Sequence, residues 1–266
     1  MNIINQSLRT VKNESPILYR IVQLHFASAL ICFIALFIDD RTLMGVNVWI
    51  KPLKFFISGG IYIFTFGYLI TLYPYSTLKK HIIRNIVAWT LLVEIGIIAY
   101  QAARGVQSHY NQSSLFDGLL FAAMGILIAI NVLIMVMFAI DTIRLKLNTT
   151  RSVQLAIFLG WIIVIFGSWV GGQMISQMAH NVGIADGGEG LPLVNWSTNG
   201  GDLRIAHFFG LHAIQIIPLF ALFLNKKWKT KTSNQLIGVT IFGLLFAAWI
   251  GFTFYQAKQG VPLVSI

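Results

Sequence analysis

The chain has 266 residues, 56% of them hydrophobic and 11% charged, with a mean hydropathy of +0.75. That is too apolar for a soluble domain and predicts an all-α, polytopic membrane protein. The net charge of +10 would suggest nucleic acid in a soluble protein, but here the basic residues cluster between apolar runs and no nucleic-acid binding is expected. The single cysteine, Cys32, lies inside the first apolar run, which excludes an internal disulfide and a thiolate metal cluster.

Seven runs are long and apolar enough to span a bilayer, at roughly 17–38, 49–73, 83–103, 117–140, 153–177, 204–224 and 235–256. They predict one transmembrane helical domain over 1–266, a bundle of seven helices. The first run follows basic residues but is too long for the core of a signal peptide and ends in LFIDD, so it is read as a span. Thirteen basic residues lie at or beyond one set of span ends: Arg9, Lys12, Arg20, Lys79, Lys80, Arg84, Arg144, Lys146, Arg151, Lys226, Lys227, Lys229 and Lys231. Six lie at the other: Arg41, Lys51, Lys54, Arg104, Arg204 and Lys258. The positive-inside rule therefore predicts a cytoplasmic N-terminus and a C-terminus outside.

The second span opens WIKPLK, where Pro52 suits a first helical turn and Lys51, Lys54 and Ser58 share a face. Lys51 reads equally as a snorkelling interfacial lysine, whereas Lys54, a turn deeper, is expected to point into the bundle. In the third span, Glu94, Gln101 and Arg104 lie within about 80° of helical angle. Ser108 joins that arc if the helix continues past Gly105, and His109 then lies on its far edge. Glu94 sits at mid-span, where a carboxylate is either protonated or paired with a cation such as Arg204 or Lys54. Asp117 at the start of the fourth span complements the helix dipole, and Asn131 within it predicts an interhelical hydrogen bond. The fifth span aligns Trp169, Gln173, Ser176 and His180, and Gly171-Gly172 lets a neighbouring backbone come close. His25 reads as a structural histidine and His81 as a solvated one.

The sixth span organises the rest. A Gly-rich loop over 178–203 runs into an apolar helix whose first turns carry Arg204, His207, His212 and Gln215 within an arc of roughly 140°. Ionisable groups at membrane depth are costly and face protein or a water-filled cavity. Polar stripes on four helices, all in their outer halves, predict one polar site open to the outer face.

The segments WIKPLKF (49–55), QAARGVQSHYN (101–111) and GDLRIAHFFGLHAIQ (201–215) resemble a family of small bacterial multipass membrane proteins with no established activity. The resemblance implies a bacterial cytoplasmic membrane. Phe208-Phe209-Gly210-Leu211-His212, followed by Pro218, is similar to a haem-bearing helix of cytochrome b. His207 stands where that pattern has arginine, and the pairs of ligating histidines that two haems need are missing.

Three function classes use the same residues. A redox or metal-dependent membrane enzyme leads: His109, His180, His207 and His212 would ligate haem b or a histidine-bound metal ion. Lys51, Lys54 and the arginines would hold anionic groups, Gln101, Gln173 and Gln215 would orient ring nitrogens, and Glu94, Arg104 and Arg204 would act in catalysis. A transporter of a small anionic or proton-coupled solute would use Glu94 as its carboxylate, though the apolar inner halves offer no exit. An enzyme acting on a lipid head group or quinone would use Glu94 or a histidine as general base.

Overall fold

The computed structural model describes residues 3–188, 190–227 and 231–265, with the side chains of 3, 4 and 227 excepted. Seven of its helices are long and apolar enough to cross a membrane, as expected of an integral multipass protein. In chain order the elements are α1 (Ile3–Glu14), α2 (Pro16–Ala35), β1 (Thr42–Leu43), β2 (Val46–Asn47), α3 (Ile50–Leu72), α4 (Thr77–Ala103), α5 (Leu115–Arg144), α6 (Arg151–Gln177), β3 (Asn181–Val182), β4 (Gly201–Asp202), α7 (Leu203–Lys227) and α8 (Thr232–Lys258). Each predicted span falls on one of the helices α2 to α8. The basic Lys229 of the last connection lies outside the described residues.

Helix ends follow local chemistry. Pro16 occupies the first turn of α2, where its missing N–H is not needed. Ser76 caps α4 by accepting from Lys79 N, and Thr150 caps α6 by accepting from Val153 N. Met178 takes a left-handed conformation (φ 53°) that closes α6, its N–H turned back to Met174 O and Ile175 O.

The chain forms two compact units, Met1–Ile134 and Met135–Ile266. In the first, α2 packs on α3 and α3 on α4. Ala29, Cys32, Phe56 and Ile95 form a core cluster there, bordered by Trp49, Leu53, Phe55 and Ala99. His25 is fully buried beside Phe56, its Nδ1 2.9 Å from Ile21 O. The sequence did not predict α1, which docks on α2 and α3 with Val11 fully buried against Gly67. Between α2 and α3 the β1–β2 hairpin pairs Thr42 with Asn47 across Met44 and Gly45, both at positive φ.

In the second unit α6 and α7 pack most closely, and α8 lies against both. A Cβ placed on Gly167 would sit 2.8 Å from the Gly210 backbone, and one on Gly210 would sit 2.6 Å from Gly167 Cα. Only glycine at both positions permits this approach. The antiparallel pair β3–β4 sets Asn181 opposite Asp202 and Val182 opposite Gly201. Gly201 is pressed against the Ala257 carbonyl at the end of α8, closer than any Cβ allows.

Candidate functional site

In the first unit the end of α4 carries a closed polar cluster. Gln101, fully buried, donates through Nε2 to Asp117 Oδ1 at 2.8 Å, and Arg104 Nη1 lies 2.5 Å from both Asp117 Oδ1 and Gln101 Oε1. Asp117 also accepts from Ser114 Oγ at 2.6 Å and from Ser113 Oγ at 3.3 Å. Ser114 in turn accepts from Asp117 N, which makes this the capped start of α5 as well as an ion pair. Arg104 thus holds a carboxylate and an amide through Nη1, while a third of its side chain stays exposed.

Lys51 at the start of α3 reaches His109, with Nζ to Nδ1 at 3.3 Å, and Ser108 Oγ lies 3.1 Å from the same nitrogen. An ammonium has no acceptor, so Nδ1 acts as the acceptor of this contact and Nε2 carries the proton. The imidazole is ringed by Phe55, Tyr110 and Phe121, with centroids 6.0–6.3 Å away. Lys54, one turn along, is half-buried. Glu94, three turns below Arg104, is 9% exposed, and its Oε2 has no hydrogen-bond partner.

The second unit holds the histidines of α6 and α7. The Met178 turn ends α6 and leaves His180 just before β3, whose pairing with β4 sets the chain at the start of α7. His180 Nδ1 lies 2.6 Å from Asp186 Oδ2. The same carboxylate accepts the backbone N–H groups of His180 and Asn181 at 2.9 Å. Burial alone would raise the Asp186 carboxyl, but these donors, led by the His180 ring, outweigh it and bring the pKa down to about 2. Met178, Ile184 and Leu193 leave apolar surface exposed on the same loop, Leu193 at 72%.

His207 on α7 reaches across to α6, where its Nδ1 meets Gly167 O at 2.8 Å. A carbonyl only accepts, so Nδ1 carries the proton and Nε2 the lone pair. The ring rests on Gly171, where a Cβ would lie 2.8 Å from His207 Cε1, so the close approach that the glycine pair predicted is made here by a side chain. His180 and His212 lie within electrostatic reach of His207. His212 stacks edge-on against Phe208 at 4.6 Å, and Gln215, one turn further, is 8% exposed. Gln173 is half-buried, and its carbonyl accepts from Ser176 Oγ at 2.9 Å.

Arg204 is committed locally. It forms a bidentate pair with Asp202 (Nη2–Oδ2 2.6 Å, Nε–Oδ1 2.9 Å) and donates to Asn195 O at 2.5 Å. Asp202 is fully buried, accepts Ser197 N at 2.8 Å, and caps α7 by accepting Arg204 N at 2.9 Å. Arg204 therefore stitches the 195–202 loop onto the head of α7.

The chain matches no protein-family model, no curated protein and no solved structure. Among the described residues, no three His, Cys, Asp or Glu side chains are grouped to hold a metal ion.

The structure gathers the predicted residues in sets: Gln101 with Arg104, Lys51 with His109, and His207 within electrostatic reach of His180 and of His212. The partners that complete these sets were not foreseen. Asp186 falls in an aperiodic Gly-rich loop, and Asp117 carried only a dipole argument. Asp202 was legible: a carboxylate two residues before an arginine at a helix start is a cap signal.

Proposed function

We propose that the protein is a membrane enzyme acting by acid–base chemistry on an amphiphile, a lipid head group or a quinone, with the His180–Asp186 pair as its proton-transfer group. The observation that carries this reading is the 2.6 Å Nδ1–Oδ2 contact, in a carboxylate further fixed by two backbone N–H groups. Asp186 holds the imidazole with its proton on Nδ1, so Nε2 is the basic nitrogen, and it stabilises the imidazolium formed when Nε2 takes a proton from the substrate. The pair stands just beyond the last turn of α6, on a loop that also exposes the apolar side chains of Met178, Ile184 and Leu193. Trp196 lies against Phe208 and Phe209 at 5.7 and 6.1 Å, an aromatic grouping suited to the membrane–water boundary. By the distribution of basic residues, this boundary is the outer one.

The test is to incubate the purified protein in vesicles of mixed membrane lipids and quinones and compare all species by mass spectrometry. Wild type is expected to convert one amphiphile that His180→Gln leaves untouched. Unchanged profiles with folded wild type across roughly pH 5 to 9, a range that spans the ordinary histidine value, would overturn the proposal.

A second reading, a histidine-bound haem or metal ion with redox function, is supported by His207. Its Nδ1 is pinned on Gly167 O, as second-shell acceptors pin ligating histidines, and its Nε2 has no partner among the described residues. His207, with His180 or His212, would hold the group, which would supply electron transfer. A Soret band or stoichiometric metal in the purified protein would establish this reading, and a colourless, metal-free protein that no haem or metal restores would refute it.

A further inference from the structure

Glu94 is used by neither reading above, and its surroundings are unusual for a carboxyl group. It lies in the middle of α4, 9% exposed, and makes no hydrogen bond or ion pair among the described residues. Helical side chains lean toward the N-terminus, so Glu94 leans over the turn that carries Thr90, which shares its face and its 9% exposure. Across from Thr90, Asn131 of α5 is fully buried and donates through Nδ2 to Thr90 Oγ1 at 2.8 Å and to Leu127 O at 2.9 Å. Thr90 gives its own proton to Ile86 O at 2.6 Å. Asn131 Oδ1 and Glu94 Oε2 are both left enclosed without a donor.

The neighbourhood is therefore rich in acceptors and short of hydrogens. The titratable groups on the neighbouring helices are Tyr19, Arg20, His25 and Cys32 of α2, Lys51, Lys54, Tyr62 and Tyr68 of α3, and Asp117, Asp141 and Arg144 of α5. Glu94 pairs with none of them. An isolated carboxylate in an apolar span is among the most costly groups a membrane protein can hold, and one proton removes the charge and supplies a missing donor.

We propose that Glu94, backed by Thr90 and Asn131, is an intramembrane proton-exchange site. The carboxyl O–H breaks on release, the proton passes to water, and the carboxylate left behind can accept the rotatable Thr90 hydroxyl; rebinding reverses each step. The site lies wholly in the first unit, so it stands or falls separately from the His180 chemistry.

Dicyclohexylcarbodiimide tests it directly. This apolar reagent adds to a protonated carboxylic acid in apolar surroundings, and the adduct rearranges to a stable N-acylurea. The full chain is reconstituted in phosphatidylcholine vesicles, labelled at a series of pH values and mapped by peptide mass spectrometry. Infrared spectra are recorded in H2O and D2O. Label is expected at Glu94, falling as the pH rises and lost in Glu94→Gln. A protonated-carboxyl C=O band that shifts in D2O and is missing from the variant is expected with it. The wild-type measurement needs no variant to fold. Glu94 left unlabelled with only a carboxylate band, or a C=O band that stays unshifted in D2O, would overturn the proposal. Labelling blocked by sodium chloride but not by choline chloride would also overturn it, in favour of a metal cation.

Discussion

Replacing Asp186 with asparagine separates a proton-transfer role from a purely structural one. The native carboxylate meets only donors: the N–H of His180, the N–H of Asn181 and the ring N–H of His180. An asparagine has one acceptor oxygen. If that oxygen keeps the two backbone N–H groups, its NH2 faces Nδ1, which accepts only in the opposite tautomer. Nε2 then carries the proton and is no longer a base. Turnover of the amphiphile is expected to fall by about 10²- to 10⁴-fold, the usual worth of a positioned general base. Stability should fall as well. A carboxyl held near 2, against about 3.9 unfolded, stabilises the fold fully above about pH 4 and loses that contribution as pH falls toward 2. For this half-buried group the contribution is on the order of 1–2 kcal/mol. Two assays read the result. Nitrogen-15 shifts of the His180 ring report the tautomer without any substrate, and acid-unfolding curves of wild type and Asp186→Asn should converge as pH approaches 2. An unchanged tautomer, or turnover within about twofold of wild type, would refute the reasoning.

Two further substitutions probe the same unit. Arg204→Met leaves the fully buried Asp202 carboxylate without its cation and is expected to cost about 3–5 kcal/mol. Denaturant unfolding in detergent would measure this, and a loss below about 1 kcal/mol would show that the pair behaves as a surface ion pair. Gly171→Ala places a Cβ 2.8 Å from His207 Cε1, so the ring must shift by roughly 1 Å to reach ordinary contact. The 2.8 Å bond to Gly167 O should be lost at about 1–2 kcal/mol, and an unmoved His207 nitrogen-15 signal would refute it.

The seven spans were legible because a bilayer demands about twenty apolar residues in succession, and few other constraints leave so plain a trace. The helix α1 was not, since it is short, polar on one face and held by tertiary contacts such as Val11 on Gly67. The two antiparallel pairs have strands of two residues each, too short for any period to show. Within helices, angular spacing grouped residues that do share contacts: Gln101 and Arg104 meet one partner, and the Gly171 gap does receive a neighbour. What spacing does not encode is the partner on another element. Arg104 carried no visible partner in the sequence, yet its Nη1 meets Asp117, and the depth of Glu94 was evident while the acceptor-rich setting supplied by Asn131 was not.

The glycine contact between α6 and α7 has a mechanical consequence. With backbones touching at Gly167 and Gly210, and the His207 ring bonded across the same seam, the two helices act as one stiff beam. Sliding or splaying them would break that bond and drive main chain into main chain. The outer end of that beam is fixed as well, by the Met178 turn that closes α6 and by the Arg204 clamp at the start of α7.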